Sequence, residues 1–401
     1  MPAPLEGIRV VDWTIWQQGP VASAMLADLG AEVIKIESLD GGDPGRGIVA
    51  ISGTEVRANF YFEALNRGKQ SIALDLKKPE SRDILYKLIA KSDVFVQNFR
   101  KGVADRLGLG YEDLKAHNEK LIYASATGYG PEGPDSAEPS FDQLGLARSG
   151  IMFAAGEPDM DPQPIAGGIA DQMGAVMLAY GVLAALIARE KHGVGQKVDG
   201  SHLGSMAWLQ GLSMSARLIN GAAFPRQFRS GAGNPLWNHY RCADDKWIAL
   251  GMLQSDRYWP DLTKALGKPE LATDERYVDM AARAANKEAC VAELDAIFLT
   301  RPRDEWMQIL KDGGDFIYTI VNTIDDLEDD PQMIANHYIE EIPHPEFGSL
   351  KYLGCPVGLS ETPGGVREPA PQHGQHTEIL LTEMLGYSWD DIADLKAKGV
   401  I

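Results

Sequence analysis

Between Ile8 and Ser125 the chain repeats one rhythm, a short apolar run followed by a segment whose apolar residues recur at helical spacing. Ile8-Arg9-Val10-Val11-Asp12 leads into a helix predicted around Val21 to Leu29, and Glu32-Val33-Ile34-Lys35-Ile36 follows at once. Ser71-Ile72-Ala73-Leu74-Asp75 then precedes a helix opened by Pro79 and Glu80, where a missing N–H costs nothing. Asp93-Val94-Phe95-Val96 and Leu121-Ile122-Tyr123-Ala124-Ser125 continue the series. Strands that are apolar on both faces need cover on both faces, and intervening helices supply it only when the strands run parallel. The pattern therefore predicts a doubly wound, mostly parallel, Rossmann-like α/β sheet.

The turn after the first strand carries no GxGxxG, so NAD and FAD are disfavoured as ligands. Beyond a Gly-, Pro- and Ser-rich loop from Gly128 to Ser140, residues from about Gly174 to Lys191 read as a helix that is apolar all round until Arg189. Such a helix is expected to be buried, in a core or between two copies of the chain, rather than to span a membrane. Composition shifts again at Phe224 to Asn234, and Lys246-Trp247-Ile248-Ala249-Leu250 opens a strand followed by several helices. The predicted organisation is a large domain begun by residues 1–223, a small α/β domain over 224–330, and a return to the large domain over 331–401.

With 44% apolar and 24% charged residues, 401 residues can bury enough surface for two cores. The formal charge of −19 repels nucleic-acid phosphates and anionic lipid, so neither is an expected partner, and any anionic ligand needs a local basic patch. Cys242, Cys290 and Cys355 are scattered and lack metal-ligand spacing to His, and no metal is expected. Met1 to Arg9 runs straight into a strand pattern without a leader-like apolar stretch, which suggests a cytoplasmic protein.

Several segments stand in order from Pro4 to Thr377: Pro4-Leu5-Glu6-Gly7-Ile8-Arg9-Val10-Val11-Asp12 with the turn Gln17-Gln18-Gly19-Pro20, then Leu29 to Glu37, and Gly42-Asp43-Pro44. Asn66-Arg67-Gly68-Lys69-Gln70-Ser71-Ile72, Gln97-Asn98-Phe99-Arg100-Lys101-Gly102 and the closing Gly374-Gln375-His376-Thr377 complete the set. Together they resemble the class III CoA-transferases, the family of formyl-CoA transferase and carnitine CoA-transferase, and Ala166-Gly167-Gly168-Ile169-Ala170-Asp171-Gln172-Met173-Gly174 resembles the site of that family's catalytic aspartate.

The resemblance implies a large and a small domain in two interlocked copies, and an enzyme that moves coenzyme A from an acyl-CoA donor to a carboxylic acid. Succinyl-CoA is the donor suggested by the family's common choices. Asp171 would be the nucleophile, passing through an aspartyl anhydride and an aspartyl-CoA thioester, with Gln17 bonding the carbonyl intermediates. Read from spacing alone, Asp171 is a helix cap, and only the surrounding resemblance turns the reading to catalysis. N–H groups at the helix start, with Gly167 and Gly168 allowing close backbone approach, offer an oxyanion site.

By the same resemblance Lys69, Asn98, Phe99, Arg100, Lys101 and Arg106 hold CoA, although the basic side chains taken singly also read as a solvated face. A family phosphate contact next to Glu37 is replaced by Ser38. Trp16 and Phe141, with Trp13, would shape the acyl pocket, and Gly231-Ala232-Gly233-Asn234 is a weak counterpart of a family lid. His202, His239 and His376 read as structural or solvent-facing. The related α-methylacyl-CoA racemases carry a proton-shuttling His where this chain has Phe141, which turns the reading away from racemisation. Transfer within one dicarboxylic acid, and a non-catalytic subunit of a mixed oligomer, stay open as alternatives.

Overall fold

The computed structural model describes residues 2–48 and 58–401. Its principal sheet is built from β1 (Arg9–Trp13), α1 (Gln18–Asp28), β2 (Glu32–Ser38), α2 (Phe60–Asn66), β3 (Lys69–Leu74), α3 (Pro79–Ile89) and β4 (Val94–Gln97). Short helices α4 (Val103–Arg106) and α5 (Tyr111–Lys115) lead to β5 (Ile122–Thr127). Then come α6 (Asp142–Ser149), the long α7 (Ile169–His192), β6 (Gln196–Ser201), α8 (His202–Leu209) and α9 (Gly211–Asn220).

The six strands are parallel and ordered β3-β2-β1-β4-β5-β6. This is the doubly wound layout expected, with a sixth strand, β6, that the apolar pattern did not signal. Its sequence, Gln196-Lys197-Val198-Asp199-Gly200-Ser201, is polar because it forms an edge.

Alternation along each strand divides the core. Val11, Ile34 and Phe95 face one side and pack with Ile84, Leu88 and Ile392, while Val10, Val33 and Val94 face the other and pack with α1 and α7. Each such fully buried aliphatic side chain contributes about 2 kcal/mol. The C-terminal stretch completes the first face: Val400 is fully buried, and its carbonyl accepts from Asp75 N at 3.0 Å.

Helix α7 is buried on one side within this chain. It begins at Ile169, and only part of its surface is covered by α1, β5, β6 and α8: Ala175, Leu178 and Val182 are buried, while Tyr180 and Ile187 are 66% and 58% exposed. The apolar circumference seen in sequence is thus half core and half open apolar face.

Two compact units divide the described chain. One comprises residues 1–152, 164–223 and 332–401; the other comprises 153–163 and 224–331. Phe153–Gln163, read in sequence as part of the larger domain, packs with the second unit. That unit has an antiparallel sheet of β7 (Trp237–Arg241), β8 (Trp247–Gly251) and β9 (Tyr318–Val321). Against it lie α10 (Ser255–Ala265), α11 (Met280–Ala285), α12 (Lys287–Phe298) and α13 (Arg303–Gly313), around a core of Tyr240, Trp259, Phe298 and Trp306. Gly231 to Asn234 belongs to this unit, where the Asn234 amide donates to Met252 O at 3.1 Å.

Candidate active site

Strand order reverses between β1, which pairs with β2 on one side, and β4 on the other, and a crevice opens where their carboxyl ends diverge. The turn after β1 and the loop after β4 are locked together there. Asn98 Nδ2 donates to Ile15 O at 2.7 Å, and Ile15 N donates to Asn98 Oδ1 at 2.9 Å. One donor and one acceptor site of the Asn98 amide shape the turn, and Asn98 also lines the cavity above it.

Beneath the turn sits a set of buried charges. Lys69 Nζ contacts Asp12 Oδ2 at 2.8 Å and donates to Pro20 O and Asn66 Oδ1, each at 2.9 Å. Lys35 Nζ pairs with Asp43 at 2.9 Å and donates to Thr14 O at 2.8 Å. Asp43 in turn accepts from Trp16 N at 3.2 Å. Burial pushes the Lys69 ammonium down to about 8 against the pull of Asp12. Lys69 was expected to meet CoA phosphates; it is instead wholly buried and holds the β1–α1 turn.

A cavity of about 350 Å³ lies over this turn, lined by Ile15, Trp16, Gln18, Tyr61, Asn98, Phe99, Arg100, Lys101, Ser140, Phe141, Asp171 and His202, among others. The structure thus places Asp171, Trp16, Phe141, Asn98, Phe99, Arg100 and Lys101 around one cavity. Trp16 adopts φ 65°, a strained value for a bulky residue, and its ring meets Phe141 edge-on at 6.1 Å. Lys101 Nζ donates to Pro131 O at 2.8 Å and lies 3.0 Å from Ser136 Oγ, pinning the 128–140 loop. Arg106 is exposed on α4 and is not among the lining residues.

A second cavity, also about 350 Å³, shares Ile15, Phe99 and Val103 with the first and continues over the ends of β2 and β3. Trp13, Ile36, Leu74 and Leu107 form its apolar wall, and Phe99 stacks on Trp13 at 4.1 Å. Ser38 and Lys77 also line it. Lys77 was missed in sequence, although its place two residues beyond a strand-end aspartate is where this fold gathers ligand contacts.

Asp171 is the third residue of α7. The helix is capped by Gly168, in the left-handed region at φ 69°, so the cap reading of Asp171 is set aside. Two of the N–H groups in the first turn of α7 are already bonded: Asp142 Oδ1 accepts from Ala170 N at 2.6 Å and from Asp171 N at 3.1 Å. Gln17 does not line the cavity; its Nε2 donates to Gly168 O at 3.1 Å. Gly167 is exposed outside the lining, at φ 99°.

Two further groups complete the wall. Tyr61 lies in the cavity with its phenol held above the ordinary range, first by burial and then by the charges of Asp171, Asp43 and Asp142, so it remains a donor. His202, read from sequence as structural or solvent-facing, is buried with Nε2 2.8 Å from Asp171 Oδ1. The available signal was position, since His202 directly follows β6 at the carboxyl edge of the sheet. Of the other histidines, His376 Nδ1 accepts from Ser71 N at 3.1 Å, and His239 lies against Trp247 in the second unit.

Fold and site together define a class: a doubly wound α/β protein with a carboxylate and a buried histidine facing a cavity at the switch point of its sheet. A profile of CoA-transferase family III matches residues 5–377, and the chain belongs to that family. It is 34% identical to the succinyl-CoA--D-citramalate CoA-transferase of Chloroflexus aurantiacus over 100% of this chain and 98% of the relative. It is 33% identical to the succinyl-CoA:glutarate CoA-transferase of Mus musculus over 99% of this chain and 90% of the relative. The crystal structure of a CAIB/BAIF family protein from Brucella suis superposes with a TM-score of 0.84 at 31% identity, covering 96% of this chain and all of that one.

Proposed function

We propose that this protein transfers coenzyme A from an acyl-CoA to a carboxylic acid with Asp171 as the covalent nucleophile. The observation that carries the proposal is the placement of the Asp171 carboxylate in the wall of the switch-point cavity, with Oδ2 free of hydrogen-bond partners among the described residues.

A carboxylate attacks a thioester readily because thiolate leaves well. Attack by Oδ2 on the donor carbonyl forms an O–C bond, breaks C–S and releases CoA thiolate, leaving an acyl-aspartyl anhydride. The thiolate then attacks Cγ of Asp171 and expels the donor acid, giving an aspartyl-CoA thioester. An acceptor carboxylate repeats the attack in the opposite sense, so one thioester replaces another without ATP. Water would destroy the anhydride, and the aromatic walls of Trp16 and Phe141 shield it.

In this reading CoA runs along the two adjoining cavities, its apolar portions against Trp13, Ile36 and Leu107, with Arg100, Lys101 and Lys77 meeting anionic groups. The neutral Tyr61 phenol donates to a substrate carboxylate beside Asp171. Succinyl-CoA is the first donor to test, because both relatives compared above are succinyl-CoA transferases by name. Two copies of the chain associate through the open apolar face of α7 and the exposed Trp208, Leu212, Leu218 and Ile219.

Mass spectrometry after incubation with a panel of acyl-CoA esters, followed by hydroxylamine or borohydride, tests the mechanism. An adduct at Asp171 that is lost in Asp171→Ala supports it and names the donor. CoA exchange that proceeds without any adduct at Asp171 contradicts it.

A further inference from the structure

We infer that His202 is a positioning residue whose Nε2–H holds one oxygen of Asp171 and stabilises the oxyanion formed there each time the aspartyl carbonyl is attacked. The inference rests on Asp171 being the nucleophile and adds a donor to that chemistry.

The proton assignment follows from the partners. An ionised carboxylate only accepts, so at 2.8 Å from Oδ1 the ring nitrogen Nε2 carries the hydrogen. In the neutral ring Nδ1 is then the lone-pair nitrogen, and the single Ser140 hydroxyl hydrogen has two acceptors in reach, Nδ1 at 3.2 Å and the more distant Phe141 O at 3.4 Å; donation to Nδ1 is the arrangement this inference requires. The hydroxyl of Ser140 thereby selects the tautomer that aims an N–H at the nucleophile. In the neutral ring no second donor faces Ser140, and the chain Ser140–His202–Asp171 is consistent at every link.

The fold packs this chain tightly. His202 is the first residue of α8 and is 3% exposed. A Cβ at Gly145 would stand 2.9 Å from His202 Cβ and 2.8 Å from Ala170 Cβ, so only glycine lets α6 close over the imidazole. A Cβ at Gly128 would stand 2.2 Å from Ser140 Cβ, and glycine there admits the hydroxyl.

The two oxygens of Asp171 consequently differ. Oδ1 is tethered to His202, whereas Oδ2 faces the reaction. When thiolate or acceptor carboxylate adds to Cγ, the electron pair of the C–Oδ1 double bond moves onto Oδ1, and the negative charge grows against an N–H already in place. The pair returns as the leaving group departs, and no proton is transferred. This matters here because Asp142 occupies the N–H groups of Ala170 and Asp171 that would otherwise face such a charge.

Four proteins decide the matter: wild type, His202→Leu, His202→Gln, which returns an N–H near the position of Nε2, and Asp171→Ala. Turnover of the best donor should fall ~100-fold in His202→Leu with KM for the donor within about threefold, as for loss of one oxyanion donor. His202→Gln should recover most of it. In the free protein, ¹⁵N correlation of the histidine rings should show His202 with its proton on Nε2, and that signal should move in Asp171→Ala. Unchanged turnover in His202→Leu, equal loss in Leu and Gln variants, or a ring signal indifferent to Asp171→Ala each overturns the inference. Wild-type exchange without an Asp171 adduct instead removes the nucleophile on which it rests, and the ring signal still reports whether the contact exists.

Discussion

Gln17 Nε2 donates to the carbonyl oxygen of Gly168 at 3.1 Å, a bond across 151 positions that ties the β1–α1 turn to the residue capping the Asp171 helix. Gly168 is at φ 69°, and a Cβ there would come within 2.4 Å of the Gln17 amide. The glycine is therefore required twice, by backbone conformation and by the close approach of Gln17.

Gly168→Ala is expected to lower stability by about 1–3 kcal/mol through the left-handed conformation and the displaced amide. Because the displacement is passed to the first turn of α7, activity should fall by more than the folded fraction does. Thermal unfolding together with initial rates checks this; an alanine variant with wild-type rate would show that the Gln17 bond has no bearing on Asp171.

Trp16 is strained for the sake of its position. Replacing it with glycine removes a left-handed penalty of roughly 1–2 kcal/mol, while losing the ring that meets Phe141 and covers the cavity. Trp16→Gly should therefore unfold within a few degrees of wild type yet show markedly lower kcat/KM and faster hydrolysis of the aspartyl intermediate. Differential scanning calorimetry and release of free CoA without acceptor separate the two effects.

Acid should weaken the fold through Glu37. Burial alone would raise its carboxyl, but Arg46, Lys35 and Ser71 together bring it down to about 2. A depressed folded-state value means stability is fully present above the ordinary carboxylate range and is lost as pH falls from about 4.5 towards 2. The full contribution is on the order of 3 kcal/mol. Denaturant unfolding across this window should show a shallower acid limb in Glu37→Gln than in wild type; identical slopes would remove Glu37 from the account.

The alternation from Ile8 to Ser125 made the parallel sheet legible because buried strands and amphipathic helices differ in period, and neither depends on distant partners. Asp171 was singled out by the resemblance of Ala166 to Gly174 to a family site, since spacing alone read it as a helix cap, a place that Gly168 takes. Lys69 was misplaced because a lysine at a strand start has the same appearance in sequence whether it meets a phosphate or a buried aspartate; only the arrival of Asp12 at 2.8 Å distinguishes them. His202 escaped because its partner is 31 positions away, and no local period connects a residue after an edge strand to the first turn of α7. Asp142 escaped for the same reason, and with it the fact that two helix N–H groups are already occupied.

Lys69→Met tests that correction directly. Removing the ammonium leaves Asp12 buried without its nearest counter-charge, which costs about 3–5 kcal/mol. If Lys69 only supports the turn, the variant should lose stability while the surviving folded fraction binds CoA with nearly wild-type affinity. Calorimetric titration with CoA at low temperature makes the comparison, and a large affinity loss in a stably folded variant would restore Lys69 to the ligand.

The proposed association of two copies rests on what α7 and α9 leave uncovered. Helix α9 has no buried residue, and Leu212, Leu218 and Ile219 are 77%, 76% and 80% exposed, with Trp208 on the preceding helix at 72%. Single exposed apolar residues are ordinary, but several on successive helices mark a surface meant to be covered. The formal charge of −19 opposes self-association at long range, so apolar burial has to supply the attraction. Placing charge in that patch should therefore act strongly: Leu218→Glu with Ile219→Lys is expected to convert a dimer into a monomer in sedimentation velocity, with little change in the folding of the sheet by circular dichroism. A wild-type chain that sediments as a monomer, or a double variant that remains dimeric, would assign this apolar surface to another partner.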